Sequence, residues 1–227
     1  MAAEDAKQEE CNLSKFIKMI GSKCKICRRY AAKLFLRGDR CFSAKCAYSR
    51  RPYPPGPKPK RRLGQLSEYG KELAEKQKLK NWYNLNERQL SSYVKKTLGK
   101  KKNVGNTAED LISKLESRFD NVVFRMGFAP SRSQAKQLVS HGLLFVNGKA
   151  MNIPSHQIEK GDIITPKPQK IKKVIFQNIK DLLKKYKTPS WLEINAEKLE
   201  GKVIGIPTLE EAAPPAEVSS IFEFYSR

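Results

Sequence analysis

Four of the five cysteines form two closely spaced pairs, and this spacing constrains the fold more than any other feature of the chain. Cys24 and Cys27 form a C-x2-C pair, and Cys41 and Cys46 follow as C-x4-C after thirteen intervening residues. Two such pairs can hold one zinc ion in a tetrahedron of thiolates, with no position left open for water. A 4Fe–4S cluster uses the same four ligands. The pattern therefore predicts one structural zinc, with the cluster as the alternative.

The other uses of paired cysteines are disulfides and redox chemistry. The first ten residues, MAAEDAKQEE, have no apolar segment typical of a secretory signal. We therefore expect a cytosolic protein, in which structural disulfides are rare. A redox C-x-x-C would need a βαβ pattern, which is missing around Cys24. Cys11 has no partner at a useful spacing and is expected to be a free thiol.

The basic charge is concentrated around the cysteines. The chain carries a formal net charge of +22, and residues 11–62 hold 16 basic residues and one acidic residue. Nucleic acid is the expected partner of such a segment, because neutralised phosphates release counterions. An anionic membrane is the rival, and it would need a basic amphipathic helix with a strong apolar face. No run of about 18 apolar residues occurs, so we expect no membrane-spanning segment. Residues 21–51 contain little apolar core, so we expect their folding to depend on the metal.

Composition and periodicity divide the chain into six segments. They are a flexible extension (1–20), a basic lobe that binds metal through its four cysteines (21–51), a proline-rich basic strap (52–66), a helical part of the body (67–106), a module of two helices and a hairpin (107–166), and a C-terminal helix with strands that complete the body (167–227). The predicted class is α+β: a mostly helical body with a metal-stapled N-terminal lobe and an inserted module of two helices and a small sheet.

Local signals predict where several elements begin and end. Ser67, Asn86 (with Gln89), Thr107 and Ser131 are predicted N-caps, and Gly99, Gly127 and Gly142 are predicted to end helices. Asn147-Gly148 predicts a tight type I′ hairpin turn. Residues 171–187 have the apolar face of a core-packing helix, and a membrane-surface helix is the alternative.

The sequence offers little for catalysis. His141 and His156 stand beside no plausible nucleophile, and no glycine-rich phosphate loop occurs. Asp120 follows Arg118 in a way that one class of uridine isomerases also shows, but a helix-terminal ion pair is the simpler interpretation. We therefore predict no enzyme activity and no small-molecule substrate, with an RNA-modifying enzyme of the uridine isomerase type as the alternative function.

A resemblance to a known family covers residues 21–227. CKICRR, LFLRGDRCFSAKC, RRPYPPG, LSEYGKELAEKQKLK, LESRFDNVVFRMGFAPSRSQAKQLVSHG, VNGKAMNIPS and the closing EFYSR occur in that order. Together they resemble the bacterial small-subunit ribosomal protein four family, in its cysteine-bearing form. Residues 1–20 have no counterpart in this resemblance.

The resemblance implies a ribosomal function in the cytoplasm. Family members bind 16S ribosomal RNA early in assembly of the small subunit and contribute to the accuracy of translation. The resemblance also implies that the two-helix, small-sheet module at 107–166 is the RNA-binding module of the family. They lie where messenger RNA enters the subunit, beside small-subunit proteins three and five. Some members repress translation of their own operon. No membrane is implied as a partner.

Basic and polar side chains in three regions are the candidate RNA contacts. In the lobe and strap they are Lys23, Lys25, Arg28, Arg29, Arg37, Arg40, Arg50, Arg51, Tyr53, Lys58, Lys60, Arg61 and Arg62. In the body they are Lys76, Lys78 and Lys80. In the module they are Arg118, Arg125, Arg132, Gln134, Lys136, His141, Asn147 and Lys149. The cations are expected to contact phosphates of folded RNA, and a solvated charged face is the alternative. Tyr53 is expected to stack on a base or to pack against the strap.

Overall fold

The computed structural model describes residues 22–57, 65–99, 104–170, 179, 183 and 186–226. The chain separates into two compact units, one ending at Gln65 and the other running from Leu66 to Arg227. Among the helices that are described, none combines the length and the apolar character needed to cross a membrane.

The first unit consists of three short helices joined by irregular segments. These are α1 (Lys23–Arg29), α2 (Asp39–Phe42) and α3 (Ala47–Arg50). Among its described residues, the buried apolar side chains are Leu34 and three cysteines. The Tyr48 hydroxyl donates a hydrogen bond of 2.8 Å to the Ala31 carbonyl and ties α3 to the end of α1. So small a core gives little stability by burial alone.

The second unit contains a helical core. Its helices are α4 (Glu68–Trp82), α5 (Glu87–Leu98), α6 (Val104–Glu116), α7 (Phe119–Arg125), α8 (Arg132–Ser140), α9 (Leu209–Ala212) and α10 (Val218–Ser226). The last helix, α10, packs along α4 and also touches α5. Leu79, Leu90, Leu111 and Ile221 are fully buried where these helices meet.

A five-stranded antiparallel sheet completes the second unit. The strands are β1 (Leu144–Val146), β2 (Lys149–Ala150), β3 (Ile163–Pro166), β4 (Leu192–Asn195) and β5 (Glu200–Val203), in the order β2-β1-β3-β5-β4. Ile164 pairs with Gly201, and Leu192 pairs with Val203. A second apolar core lies around the sheet, α7 and α8. The predicted α+β class, with helices and a small antiparallel sheet, is confirmed.

Most of the predicted caps are present. The Ser67 hydroxyl accepts a hydrogen bond from the Gly70 backbone, and Ser131 accepts one from Gln134. Asn86 and Gln89 form the reciprocal capping box. The N-cap prediction for Thr107 is wrong, because α6 begins at Val104 and Thr107 lies inside the helix.

The predicted hairpin turn is confirmed. Asn147 and Gly148 have φ angles of 50° and 75°, the two positive values that a type I′ turn requires. Of the predicted helix at 171–187, only Ile179, Leu183, Tyr186 and Lys187 fall among the described residues. Ile179 and Leu183 are buried in the core around the sheet.

Candidate nucleic-acid interface and cysteine site

Four cysteines of the first unit meet at one small cavity. Cys24 and Cys27 lie in α1, Cys41 lies in α2, and Cys46 directly precedes α3. All four line a cavity of about 10 Å³. Cys27, Cys41 and Cys46 are each less than one-tenth exposed. The Arg37 backbone N–H donates a hydrogen bond of 3.3 Å to the Cys41 sulfur. Two segments that are distant in sequence thus contribute thiols to the same place, as the pairing predicts.

The surroundings act differently on individual thiols. Burial raises the pKa of the Cys27 thiol, although a hydrogen bond from the Leu34 backbone lowers it in part. The pKa of Cys46 is lowered, chiefly by a hydrogen bond from the Ser49 backbone. In the part of the chain that the structure describes, no three Cys, His, Asp or Glu side chains already form a metal-binding group. The zinc and iron–sulfur alternatives therefore stay predictions.

The surface of the first unit is rich in cations. The predicted RNA contacts that are exposed there are Lys25, Arg29, Arg37, Arg40, Arg50 and Arg51. Lys23 is partly buried, and burial lowers its pKa, with repulsion from Arg37 adding to the effect. The strap residues Lys58, Lys60, Arg61 and Arg62 lie outside the described residues. Lys23, Lys33 and Arg37 line the cysteine cavity, and the exposed cations give the first unit an accessible basic surface.

Arg28 ties the beginning of the strap to α1. Its Nε donates a hydrogen bond of 2.9 Å to the Tyr53 carbonyl, and a second nitrogen lies 3.4 Å from the Pro54 carbonyl. The guanidinium carbon also lies 4.8 Å from the centre of the Tyr53 ring. The ring is nevertheless 48 % exposed. Tyr53 therefore packs on Arg28 and keeps surface that could still meet a base.

The prediction that Arg118 contacts RNA is corrected by its burial. Arg118 is 1 % exposed, and two of its nitrogens donate to the Asp120 carboxylate at 3.1 and 2.8 Å. A third nitrogen donates to the Tyr93 hydroxyl at 3.0 Å. Burial lowers the pKa of Arg118, but the pairing with Asp120 outweighs it and raises the pKa overall. The ion-pair interpretation of Asp120 is confirmed, and Asp120 is only 4 % exposed.

Arg125 and Arg132 also belong to an internal network, centred on Glu116, instead of the predicted RNA surface. The Glu116 carboxylate is 1 % exposed and accepts hydrogen bonds from Arg125 at 2.8 and 2.9 Å and from the Tyr83 hydroxyl at 2.8 Å. Asn121 donates to Glu116 as well and accepts a hydrogen bond of 2.8 Å from Arg132. Burial alone would raise the pKa of Glu116, but Arg125 holds it below its ordinary value.

Arg132 is surrounded by aromatic rings. Its guanidinium carbon lies 4.4 Å from the ring centre of Trp82, 4.5 Å from that of Phe124 and 5.3 Å from that of Tyr83. Such contacts stabilise a buried cation. Burial lowers the pKa of Arg132 to about 10, so the side chain stays charged at neutral pH. The first residue of α8 is therefore fixed to the α4–α5 corner.

The lysines predicted on α4 are engaged with other residues. Lys76 is 6 % exposed. Its ammonium nitrogen lies 2.8 Å from a Glu87 carboxylate oxygen and 4.1 Å from the centre of the Phe224 ring. Lys78 pairs with Glu75 at 2.6 Å, and Lys80 pairs with Glu87 at 3.2 Å. The RNA-contact prediction is corrected for Lys76, which joins α4 to α10. Lys78 and Lys80 are only partly buried and remain candidates.

Five polar residues of the module remain near the surface. His141 and Lys149 are exposed, and Gln134 and Lys136 are partly exposed on α8. Asn147 has a structural task, because its side chain donates to Asp162 at 2.8 Å and accepts from the Ile163 backbone at 2.9 Å. The accessible candidates of the module are thus Gln134, Lys136, His141 and Lys149.

The sequence-based predictions did not include Phe42, which is 72 % exposed at the end of α2. Exposed aromatic side chains of RNA-binding proteins are residues on which unpaired bases stack. The predictions also missed Tyr83 and Glu116, whose role depends on contacts across 33 residues of sequence. No local pattern could have found that pair.

Comparison with known proteins agrees with this architecture. Residues 18–116 match the family described as Ribosomal protein S4/S9 N-terminal domain, and residues 117–164 match the S4 domain. A small ribosomal subunit protein uS4 from Caldicellulosiruptor saccharolyticus is 47 % identical over 92 % of this chain and 99 % of the relative. The chain belongs to the uS4 family. The uS4 proteins of Solidesulfovibrio magneticus and Thermodesulfovibrio yellowstonii are each 45 % identical over 91 % of the chain, covering 97 % and 98 % of those relatives.

The two uS4 family matches meet inside the buried network. Their boundary falls between Glu116 and Ser117. Tyr83 and Glu116 lie on one side, and Arg125 and Arg132 lie on the other. In this uS4 protein the S4 domain is therefore joined to the preceding helices by a charged and aromatic core. The relatives carry the names of ribosomal proteins, and the uS4 family is one of structural proteins, not enzymes.

Proposed function

We propose that the protein is a structural constituent of the small ribosomal subunit in the cytoplasm, where it binds 16S ribosomal RNA during assembly. The observation that carries this proposal is the exposed cationic surface of the first unit in a member of the uS4 family. Arg29, Arg37, Arg40 and Arg50 would meet phosphates there. A second surface of the S4 domain, with Lys136 and Lys149, would fix the orientation of the RNA.

Binding of a transcribed 5′ fragment of 16S RNA, measured across a salt series, tests this proposal. Each lost phosphate contact should lower the slope of log K against log salt by about 0.7 to 0.9. We expect Arg37→Ala and Arg40→Ala to weaken binding and flatten the slope. Lys198→Ala, at an exposed position of the second unit, is the matched control. Equal binding to an unrelated structured RNA would contradict the proposal.

We further propose that Cys24, Cys27, Cys41 and Cys46 hold one structural zinc ion. The support is that four free thiols line one ion-sized cavity and that four thiolates are a donor set suited to zinc. The surrounding cations would offset the charge of the tetrathiolate. Bound there, the ion would act as a cross-link between α1 and the segment around α2, in a unit with little apolar core.

Elemental analysis of protein purified without added metal tests the zinc proposal. We expect about one zinc per chain, lost in the Cys24→Ser/Cys27→Ser double variant. A Ser43→Ala variant leaves all four thiols and is the control. Iron with acid-labile sulfide would support the cluster instead, and protein that is folded without any metal would refute both.

The finer ribosomal roles are proposals as well. The protein would lie where messenger RNA enters the subunit, with the strap cations Lys58, Lys60, Arg61 and Arg62 near that path. Small-subunit proteins three and five would be its neighbours, and crosslinking in assembled 30S particles tests both placements. Repression of its own operon would appear as reduced translation of a reporter that carries the operon leader when the protein is supplied in excess.

A further inference from the structure

Phe42 is the most exposed large apolar side chain in the described part of the chain. It is 72 % exposed, although its ring stacks on Phe35 with a centroid distance of 5.0 Å and an interplanar angle of 28°. Phe35 therefore covers part of the Phe42 ring, and most of the Phe42 side chain is open to solvent. A ring that is already stacked on one side offers a rigid, flat surface to a second ring.

The backbone at Phe35 supports this stacked pair. Phe35 has a φ angle of 49°, a left-handed value that bulky residues rarely adopt. Such strained positions cluster where a side chain must be held in a particular place for function. The Phe35 side chain also borders the cavity of the cysteines, and Cys41 is the neighbour of Phe42 in α2. The aromatic pair is thus built onto the centre of the first unit.

The aromatic pair lies in a basic part of the chain. The Lys33 ammonium lies 5.3 Å from the Phe35 ring centre, and Arg37, Arg40 and Lys45 are exposed within five residues of Phe42 in the sequence. A suitable partner is therefore flat and apolar where it meets Phe42 and carries negative charge nearby. A nucleotide combines both properties, with the base for the ring and the phosphates for the cations. A membrane would need a longer apolar face than the four-residue α2 provides.

We propose that Phe42 is a stacking platform for one unpaired base of the bound RNA, a nucleotide in a loop, bulge or helix junction. The base has to be unpaired and unstacked, because both faces of a base inside a duplex are covered by its neighbours. This inference rests on the proposed RNA-binding function. It adds a contact with a base to the phosphate contacts that the cations would make. It also assigns Phe35 as the positioning residue beneath the platform.

Binding of the 16S fragment by Phe42 variants tests the platform. Stacking on an aromatic side chain typically changes affinity by about 5- to 150-fold, so Phe42→Ala and Phe42→Leu should weaken binding by roughly tenfold. The salt slope should stay unchanged, because no phosphate contact is lost. Phe42→Tyr and Phe42→Trp should bind like the unmodified protein. Ile206→Ala, at a side chain 71 % exposed in the second unit, is the matched control and should have no effect.

The Phe42→Trp variant gives a direct signal. We expect RNA to quench its additional fluorescence, after subtraction of the emission of the unmodified protein. Far-UV circular dichroism and metal content verify that each variant is folded. Phe42→Leu binding within twofold of the unmodified protein would overturn the platform, and so would Phe42→Trp binding as weakly as Phe42→Ala.

Three further outcomes separate this inference from others. Normal RNA binding by Phe42→Ala together with poor incorporation into 30S particles would show that the ring meets a protein, which also overturns the platform. If the unmodified protein shows no preference for the 16S fragment, the proposed function itself fails. Retained specific binding with no effect at Phe42 refutes only the platform.

Discussion

The buried carboxylate of Glu116 should be the most sensitive charge in the second unit. Its oxygens accept hydrogen bonds from Arg125, Asn121 and Tyr83, and Arg132 stands close behind Asn121. Glu116→Gln keeps the shape of the side chain but removes the negative charge. Arg125 and Arg132 would then lose the carboxylate that offsets their positive charges.

The magnitude follows from the burial of the pair. Removing one partner of a buried ion pair costs about 3–5 kcal/mol. The Arg125 side chain is 17 % exposed and can regain some water, so we expect the lower end, about 3 kcal/mol. For a unit of this size that corresponds to a fall in Tm of roughly 6–12 °C.

Thermal and urea unfolding of the isolated protein measure this loss. Glu193→Gln, on the exposed face of β4, is the matched control and should change stability by less than about 0.5 kcal/mol. The double variant Glu116→Gln/Arg125→Met should lose less than the sum of the two single variants, because the two residues interact. A loss below about 1 kcal/mol for Glu116→Gln would refute the view that this network carries uncompensated charge when it is broken.

Three further predictions concern acid stability, packing and the hairpin. The pKa of Glu116 is depressed in the folded state, so the stability that its carboxylate provides is present above the unfolded-state pKa of about 4.3 and is lost as the pH falls through the folded-state pKa. A series of Tm measurements against pH should therefore show that the Tm difference between the unmodified protein and Glu116→Gln shrinks only below about pH 5. Gly201→Ala would place a Cβ against the buried Met126 sulfur, and we expect urea unfolding to show a loss of about 1–3 kcal/mol. Asn147→Ala should lower Tm without changing the salt slope of RNA binding, whereas Lys149→Ala should leave Tm unchanged and lower the slope by about 0.7 to 0.9.

Features that depend on neighbouring residues could be read from the sequence. The cap at Ser131 and the turn at Asn147-Gly148 follow from hydrogen bonds and φ preferences within four residues, and both are present. Thr107 fits the same rule, but the prediction that it caps a helix is wrong, because the helix begins earlier, at Val104. A residue type that is suited to an N-cap is also tolerated inside a helix. A local sequence signal shows where a helix is able to begin, and longer-range packing selects one of these positions.

The burial of the module arginines could not be read in this way. Arg125 donates to the Ala212 carbonyl, 87 residues away, and Arg132 stacks on rings supplied by α4 and α7. An arginine on an amphipathic helix has the same sequence pattern whether it meets a phosphate or a buried carboxylate. Whether these arginines meet a phosphate or a buried carboxylate depends on the position of Glu116, and that position is a result of the complete fold.

The placement of these arginines changes how much of the RNA affinity we expect from the first unit and how much from the S4 domain. Residues 104–166 contain seven Lys and Arg, and three of them, Arg118, Arg125 and Arg132, are held by internal partners. Few cations of the S4 domain then remain for phosphates, whereas the first unit has exposed cations at Lys25, Arg29, Arg37, Arg40, Lys45, Arg50 and Arg51. Because the salt dependence of binding counts neutralised phosphates, we expect the first unit to contribute more of the slope than the S4 domain does. We expect the S4 domain, which is fixed to the preceding helices through Glu116, to contribute a rigid shape that selects the RNA fold, because structured RNA is recognised mainly by its shape.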